Sequence, residues 1–385
     1  MSQTLNILAP TRYPWRFNSP RQTRHVIDVR AFAPLNKISP KIEGVTVFKP
    51  WPFKRFELIH AFNRIPIGST PFIISFESHL PRGFGIENSA LYRWMTDTLA
   101  SKRCRGIIAI SDYARRQFLH QHRDSPRLAA LKAKLQVRYP NMAMPESGDA
   151  FTAQAGDPVR MIFIGAHFAR KGGTVAARLA ERAHREGFNI QIDIVSSLEM
   201  GDESWIAPTR PGYYEHDLAL LKSLPNITHH GSLPNADVLT LLRTAHFSLL
   251  PTFSDSFGYS AIESMANATP VIATAQCALP EFINDKNGVL LPLAANSAGE
   301  WAHINVQDDR DTSAYEALFD AEVNGLVDIA FTRLKAAVAN RAAYLALRRE
   351  ARATAERLFA AKDATDFWDD LYDRAVKDVV TVSAA

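Results

Sequence analysis

At 385 residues the chain is too long for one core of ordinary size and predicts two domains. Its 46% hydrophobic and 22% charged content is that of a soluble globular protein, and no apolar run approaches the roughly eighteen residues of a membrane span. The net charge of +4 hides a split: residues 1–150 carry 23 Lys/Arg against 10 Asp/Glu, and the remainder 21 against 30, so the first half is the one suited to an anionic partner.

The N-terminus, MSQTLNILAPTRYP, enters a short strand without a charged n-region or a long h-region, which argues against secretion by a signal peptide. Cys104 and Cys277 form no CxxC pair and read as reduced core thiols of a cytoplasmic protein. The pattern over 1–139 predicts strands at 6–9, 26–29, 45–48, 58–60, 72–76, 106–110 and 135–139, with helices at 87–101 and 112–121. Ser111-Asp112 supplies an N-cap for the second helix. Several strand runs are near-continuously apolar, as in strands covered on both faces. Residues 140–158 hold Pro, Gly, Ser and Asp without periodicity and read as a linker. Strands at 159–164, 190–195 and 227–230 then alternate with helices at 174–186, 213–223 and 237–244. Residues 297–320 are polar and acid-rich and read as a variable excursion, and from Val323 onward the pattern is helical.

Residues 246–292 read as strand, loop, helix from near Tyr259, strand at 270–273, and an Asn287-Gly288 turn into a further strand. That is a βαβ unit and implies a parallel sheet. At its first junction, DSFGYSAIE, the small residues Ser256, Gly258 and Ser260 keep the backbone open where the helix starts. Its leading N–H groups and the positive end of its dipole then form an anion site. Asp255 and Glu263 flank that site and offer acceptors to sugar hydroxyls. An anion pocket edged by hydroxyl acceptors suits a nucleotide-sugar.

The stretch D-S-F-G-Y-S-A-I-E-S-M-A-N-A-T-P-V-I-A resembles the Glu-x7-Glu region, E-G-F-G-x4-E-A-M-x-x-G-x-P-V-[VI]-A, of retaining GT-B glycosyltransferases of the family 4 type (glycosyl transferases group 1). Phe257, Gly258, Glu263, Met265, Pro270, Val271 and Ala273 match, and Pro280-Glu281 and Asn287-Gly288 match downstream. Asp255, Ser256 and Ala268 stand where the family has Glu, Gly and Gly. FIGAHFARKGG resembles F-[IV]-G-R-x4-K-G, with Ala166 at the arginine position. IIAISDYARRQF and VRYPNM resemble the segments that close the family's N-terminal domain, whereas PTRYPWRFNSPRQTRH replaces its Gly-Gly-x-x-x-His. The resemblance implies an α/β GT-B fold, two doubly wound, Rossmann-like parallel-sheet domains facing a cleft. An acceptor domain would span 1–150 and a donor domain 151–354, with C-terminal helices at about 355–385 packing back on the first.

The resemblance also implies roles. Gly165, Arg170 (in place of the missing arginine) and Lys171 would meet the donor diphosphate, together with Ser256 and the N–H groups of Phe257, Gly258 and Tyr259. Glu263 would hold the ribose hydroxyls and Asp255 those of the transferred sugar. Glu77 and His79, in FIISFESHLPRG just past a strand, stand at a crevice edge and join Asp255 as catalytic candidates. Each has a structural alternative: a solvated lysine, a dipole-favoured Glu263, an Asx-turn at Asp255, a satisfied surface histidine. Segment 115–138 carries seven Lys/Arg and one acid; it suits an anionic membrane or a lipid diphosphate acceptor, or is simply a solvated face. Asp309-Arg310-Asp311 mimics a metal-binding D-x-D without a strand before it and is discounted. No HExxH, zinc-type cluster, P-loop or nucleic-acid motif appears.

The expected activity is retaining transfer of a sugar from a nucleotide-diphosphate sugar to an acceptor hydroxyl, without a metal or other cofactor. It would serve polysaccharide, lipopolysaccharide or glycolipid synthesis. The resemblance implies front-face attack through an ion-pair-like state. The acceptor would be a sugar, glycan or lipid-linked molecule, met in the cytoplasm or at the inner face of the cell membrane. Two rivals stay open: a non-catalytic sugar-nucleotide binding protein and a GT-B nucleotide-sugar epimerase.

Overall fold

Apolar runs of four to six residues bounded by turn formers fold as the strands of two separate parallel sheets. The computed structural model describes residues 3–11, 13–33, 35, 39–49, 53–146, 151–154, 156–304 and 309–380. The chain forms two units, Met1–Ala143 with Leu358–Ala385, and Met144–Arg357. Part of the expected linker, 147–150 and 155, lies outside the described residues.

The first unit contains β1 (Asn6–Pro10), α1 (Tyr13–Phe17), β2 (Val26–Arg30), β3 (Val45–Thr46), β4 (Leu58–Phe62), β5 (Ile65–Pro66) and β6 (Phe72–Phe76). It continues with α2 (Ala90–Ala100), β7 (Cys104–Ala109), α3 (Asp112–Gln121), α4 (Leu128–Lys132) and β8 (Leu135–Val137). Its main sheet runs β2-β1-β4-β6-β7-β8, all parallel. Strands β4 and β6 are buried at every residue, which explains their apolar runs, broken only by His60 and Ser75. Ser111 caps α3 as its sequence indicates, accepting from the Ala114 N–H at 2.9 Å.

The short helix α1 is absent from the sequence expectation. Five residues do not hold a helix by propensity; here the buried Trp15 anchors it, edge-on to His60 at 5.6 Å. The strand expected at 45–48 is two residues long, and Phe48 continues only as an isolated bridge to Phe32.

Helix α11 (Ala361–Val380) covers one face of this sheet. Trp368, Leu371 and Tyr372 pack there on Ile7, Leu58, Ile73 and Ile108. His60, fully buried on β4, lies between Tyr372 Oη at 2.9 Å and Ser75 Oγ at 3.2 Å. Burial pulls its pKa down to about 3, so the native state holds it neutral. The unfolded chain protonates it near 6.5; stability is therefore full above that value and falls as pH drops toward 3. Wild type is expected to lose about 2 kcal/mol more than His60→Gln between about pH 6.5 and pH 5, at roughly 1.4 kcal/mol per pH unit. Denaturant unfolding followed by tryptophan fluorescence reads this, since Trp368 lies 4.6 Å from the imidazole.

The second unit contains β9 (Val159–Ile164), α5 (Gly173–Arg185), β10 (Ile190–Val195), α6 (Glu215–Ser223), β11 (Ile227–Gly231), α7 (Asn235–Thr244), β12 (Phe247–Leu250), α8 (Tyr259–Ala266), β13 (Val271–Thr274) and β14 (Gly288–Leu291). Its sheet is β11-β10-β9-β12-β13-β14, again all parallel. Helices α9 (Ser313–Ala339) and α10 (Arg341–Phe359) follow. Helix α9 packs with α5 over one face of the sheet, and α7 and α8 lie together.

The acid-rich stretch read as an excursion is in part helix. Thr312 caps α9 through the Tyr315 N–H, and Glu316 and Asp320 are spent on Arg210 and Arg178 rather than on solvent. Such ion pairs put charged residues where a purely apolar periodicity cannot show a helix. Residues 305–308 lie outside the described set.

Candidate functional site

In an open parallel sheet the ligand crevice opens where neighbouring strands connect in opposite directions, at their carboxyl ends. In the second unit that point lies between β9 and β12, since β9 leads to β10 on one side and β12 to β13 on the other. The two loops that leave these strands, 165–172 and 251–258, carry the donor-binding residues expected from the sequence. Each loop feeds a helix N-terminus, α5 after Gly172 (φ 87°) and α8 after Gly258 (φ 86°), so two positive dipole ends converge on one crevice.

The loops are laced together. Phe253 N–H and Thr252 Oγ1 both donate to the Arg170 carbonyl at 2.9 Å, and Arg170 Nη1 donates to the Ser254 carbonyl at 2.6 Å. Gly172 makes the approach physically feasible, because a Cβ there would lie 2.1 Å from the Pro251 carbonyl oxygen. Gly165 lets the Lys171 stem pass, with its hypothetical Cβ 3.0 Å from Lys171 Cγ.

Lys171 Nζ pairs with Asp255 Oδ2, the two side chains 20% and 10% exposed. The other carboxylate oxygen, Oδ1, accepts from Gly258 N–H at 3.1 Å and Phe257 N–H at 3.4 Å. Burial pushes the Asp255 pKa up, but the charge and hydrogen bond of Lys171, with the charge of Arg170, outweigh it and hold the group below the usual carboxylate range. The pair's contribution is therefore complete above that ordinary range and is lost only as pH falls beneath it. Two N–H groups expected to face a phosphate are thus capped by Asp255, the local turn that Asx residues favour. Phe257 is wholly buried and stacks on Phe282 at 5.3 Å, so its side chain anchors the loop. Ser256 and Tyr259 are half-buried around it.

Glu263, 9% exposed in α8, accepts from Asn235 Nδ2 of α7 at 3.4 Å, a neighbour the sequence did not single out. Arg170 is 9% exposed, and burial lowers its pKa against the charges of Asp255 and Glu199. Its Nε and the Thr174 hydroxyl at the start of α5 are buried with no hydrogen-bond partner among the described residues. Buried polar atoms are ordinarily paired, so these two, at the end of one crevice loop and the start of α5, are exceptions.

The other catalytic candidates belong to the first unit. Glu77 follows β6 and is braced by Asn63, whose Nδ2 donates to Oε2 at 3.3 Å while Oδ1 receives the Glu77 N–H at 3.1 Å. His79 lies edge-on to Phe84 at 5.3 Å and borders a 780 Å³ pocket with Tyr92, Arg93 and Gln121. Segment 115–138 spends much of its charge internally: Arg115 on Asp112, Arg123 on Asp124, Arg127 on Asp97, and Lys134 on the closing carbonyls of α2. Arg310, the middle of the discounted D-x-D, braces the 201–207 loop by donating to the Ala207 carbonyl at 3.0 Å. Among the described residues no cluster of His, Cys, Asp or Glu is placed to hold a metal, and no helix is long and apolar enough to cross a membrane. Cys104 and Cys277 are buried and unlinked.

Residues 158–304 match the family model described as glycosyl transferases group 1. A curated relative, the D-inositol 3-phosphate glycosyltransferase of Arthrobacter sp. (strain FB24), is 28% identical over 162 residues, 40% of this chain and 35% of its own length. The chain thus matches about a third of that relative. Among solved structures, a glycosyltransferase from Rickettsia africae ESF-5 aligns over 97% of this chain and 99% of its own, with a TM-score of 0.58 at 13% identity. The HepE protein of Anabaena, solved in complex with UDP, aligns over 100% of both chains with a TM-score of 0.56 at 12% identity. Residues 158–304 thus resemble the glycosyl transferases group 1 family, in a chain whose fold is GT-B.

Proposed function

We propose that the protein is a retaining glycosyltransferase of the family 4 type, which moves a sugar from a nucleoside-diphosphate sugar to an acceptor hydroxyl. The observation that carries this reading is the meeting of Arg170, Lys171 and two helix N-termini at the β9–β12 switch point, with Glu263 beside them. The relative that acts as a D-inositol 3-phosphate glycosyltransferase and the UDP complex of HepE support it.

On this reading the diphosphate displaces the Asp255 carboxylate from Lys171 and from the Phe257 and Gly258 N–H groups. Lys171, Arg170 and the helix termini then stabilise the charge that builds on the leaving diphosphate, and no metal is called for. Asp255, once released, accepts from hydroxyls of the transferred sugar, and Glu263 from the ribose. The acceptor oxygen bonds to the anomeric carbon on the face the diphosphate leaves, and a diphosphate oxygen takes the acceptor proton. Glu77 and His79 serve the acceptor, which is a sugar, glycan or lipid-linked molecule of a polysaccharide, lipopolysaccharide or glycolipid route.

The contact with an anionic membrane, at the cytoplasmic face, is made by the basic segment 115–138, joined by Lys49, Lys54 and Arg55 beside the 80% exposed Phe53. None of those three cations forms a salt bridge among the described residues, although the charge of Lys54 acts on Asp28. Sedimentation with vesicles should show a preference for anionic over neutral lipid; equal binding removes the membrane proposal.

The activity is tested by incubating the protein with a panel of nucleotide-sugars and saccharide acceptors and identifying products by mass spectrometry and NMR. A glycoside with the donor's anomeric configuration is expected. An epimerised donor formed without acceptor, or nucleotide binding with no product on any acceptor, would replace this reading by one of its rivals.

A further inference from the structure

The loop between β10 and α6 leaves the carboxyl end of the strand beside β9, on the flank of the crevice away from β12. It is firmly held. Arg310 Nη1 donates to the Ser204 and Ala207 carbonyls, Tyr315 Oη to the Ile206 carbonyl at 2.7 Å, and Tyr214 Oη to that of Pro208 at 3.1 Å. Ser204, Ile206 and Ala207 are at most 2% exposed. Trp205, set between them, is 46% exposed.

A large indole left in water on a rigid, otherwise buried loop forgoes burial energy that neighbouring residues collect. It meets a cation on the crevice side: the Arg170 guanidinium carbon lies 4.8 Å from the ring centroid. That arginine is the one whose Nη1 grips the Ser254 carbonyl beside Asp255 and whose Nε has no partner among the described residues.

We infer that Trp205 is the platform on which a pyranose ring of the substrate lies. The inference rests on the donor site proposed above. Glu263 and Asn235 come from α8 and α7, which pack together, whereas Trp205 precedes α6, which packs with α5. Glu263 and the exposed indole are thus carried by different helix pairs of the second unit. With the ribose assigned to Glu263, the ring assigned to Trp205 is a saccharide. The C–H face of a pyranose is weakly positive and complements the negative face of an indole, while its hydroxyls remain available to Asp255 and Arg170.

The test compares wild type, Trp205→Ala and Trp205→Phe by calorimetry and steady-state kinetics. The probes are UDP, GDP and the nucleotide-sugar that wild type turns over. Trp205→Ala is expected to bind the nucleoside diphosphate within about twofold of wild type, but to raise the KM of a sugar-bearing substrate about tenfold, with Trp205→Phe recovering most of the loss. A rise in the donor KM alone assigns the ring to the transferred sugar, and a rise in the acceptor KM alone to the acceptor. Unchanged KM values for both substrates, or an equal loss of nucleoside diphosphate affinity, overturns the inference. Failure of the wild type itself to bind any nucleotide would instead overturn the donor-site reading.

Discussion

Lys171→Ala is expected to lower kcat/KM by about 10²–10³-fold, roughly 3–4 kcal/mol of transition-state stabilisation, while leaving the fold of the second unit in place. The lysine side chain is only partly buried, and the loop that carries it keeps its backbone bonds from Phe253 and Thr252 to Arg170. What is removed is the cation nearest the α8 N-terminus. Asp255 then loses its strongest partner, so its pKa should rise toward or past the ordinary carboxylate value, since burial is the influence left to dominate. The companion variant, Asp255→Asn, separates the two roles of that carboxylate. It keeps an oxygen to accept from Phe257 and Gly258 but releases Lys171, so nucleoside diphosphate affinity should hold or increase while turnover falls. Steady-state kinetics beside calorimetry checks both variants. A Lys171→Ala protein of near-normal kcat/KM would exclude the lysine from the chemistry.

Gly172→Val should be the most damaging single change in the second unit. The residue sits at φ 87°, which a β-branched side chain cannot adopt without strain, and its Cβ would lie 2.1 Å from the Pro251 carbonyl oxygen. Backbone rather than a movable side chain blocks it, so relief means parting loop 165–172 from loop 251–258. A destabilisation of about 2–4 kcal/mol follows, a drop in Tm on the order of 10 °C, together with loss of nucleotide binding. Gly187 at the end of α5 is the control. It too has a positive φ, 67°, but a Cβ added there would have no atom within 4 Å, so Gly187→Ala should cost only about 1 kcal/mol and leave binding intact. Thermal melts read by circular dichroism, with and without nucleotide, distinguish these outcomes.

The second unit was the more legible in sequence. Its strands are short apolar runs, and the glycines and carboxylates of its two loops have tight local spacing, so β9, β12, α8 and the order of Lys171, Asp255 and Glu263 could be placed without coordinates. The pairing of Lys171 with Asp255 could not. The two residues lie 84 positions apart and meet only because the sheet order returns from β11 to the other side of β9. Trp205 and Arg310 were illegible for a similar reason. A polar loop has no period, and only the struts from Arg310, Tyr214 and Tyr315 make it rigid. In the first unit, α1 and the His60–Tyr372 contact depend on packing between distant segments, which a local pattern does not encode. The basic run at 115–138 shows the reverse case. Its charge was plain, but Asp97 and the α2 carbonyls that consume part of it come from another element.

The central claim is that the β9–β12 crevice of the second unit binds a nucleoside diphosphate through Lys171 and Glu263. The most direct test is calorimetric titration of UDP, GDP, ADP and CDP into wild type, Lys171→Ala and Glu263→Ala. The account predicts that one of these binds wild type with a Kd in the micromolar range, and that each substitution weakens it at least about tenfold, or roughly 1.4 kcal/mol. If no nucleoside diphosphate binds, or if one binds equally well to all three proteins, the crevice is not a donor site and the account is contradicted.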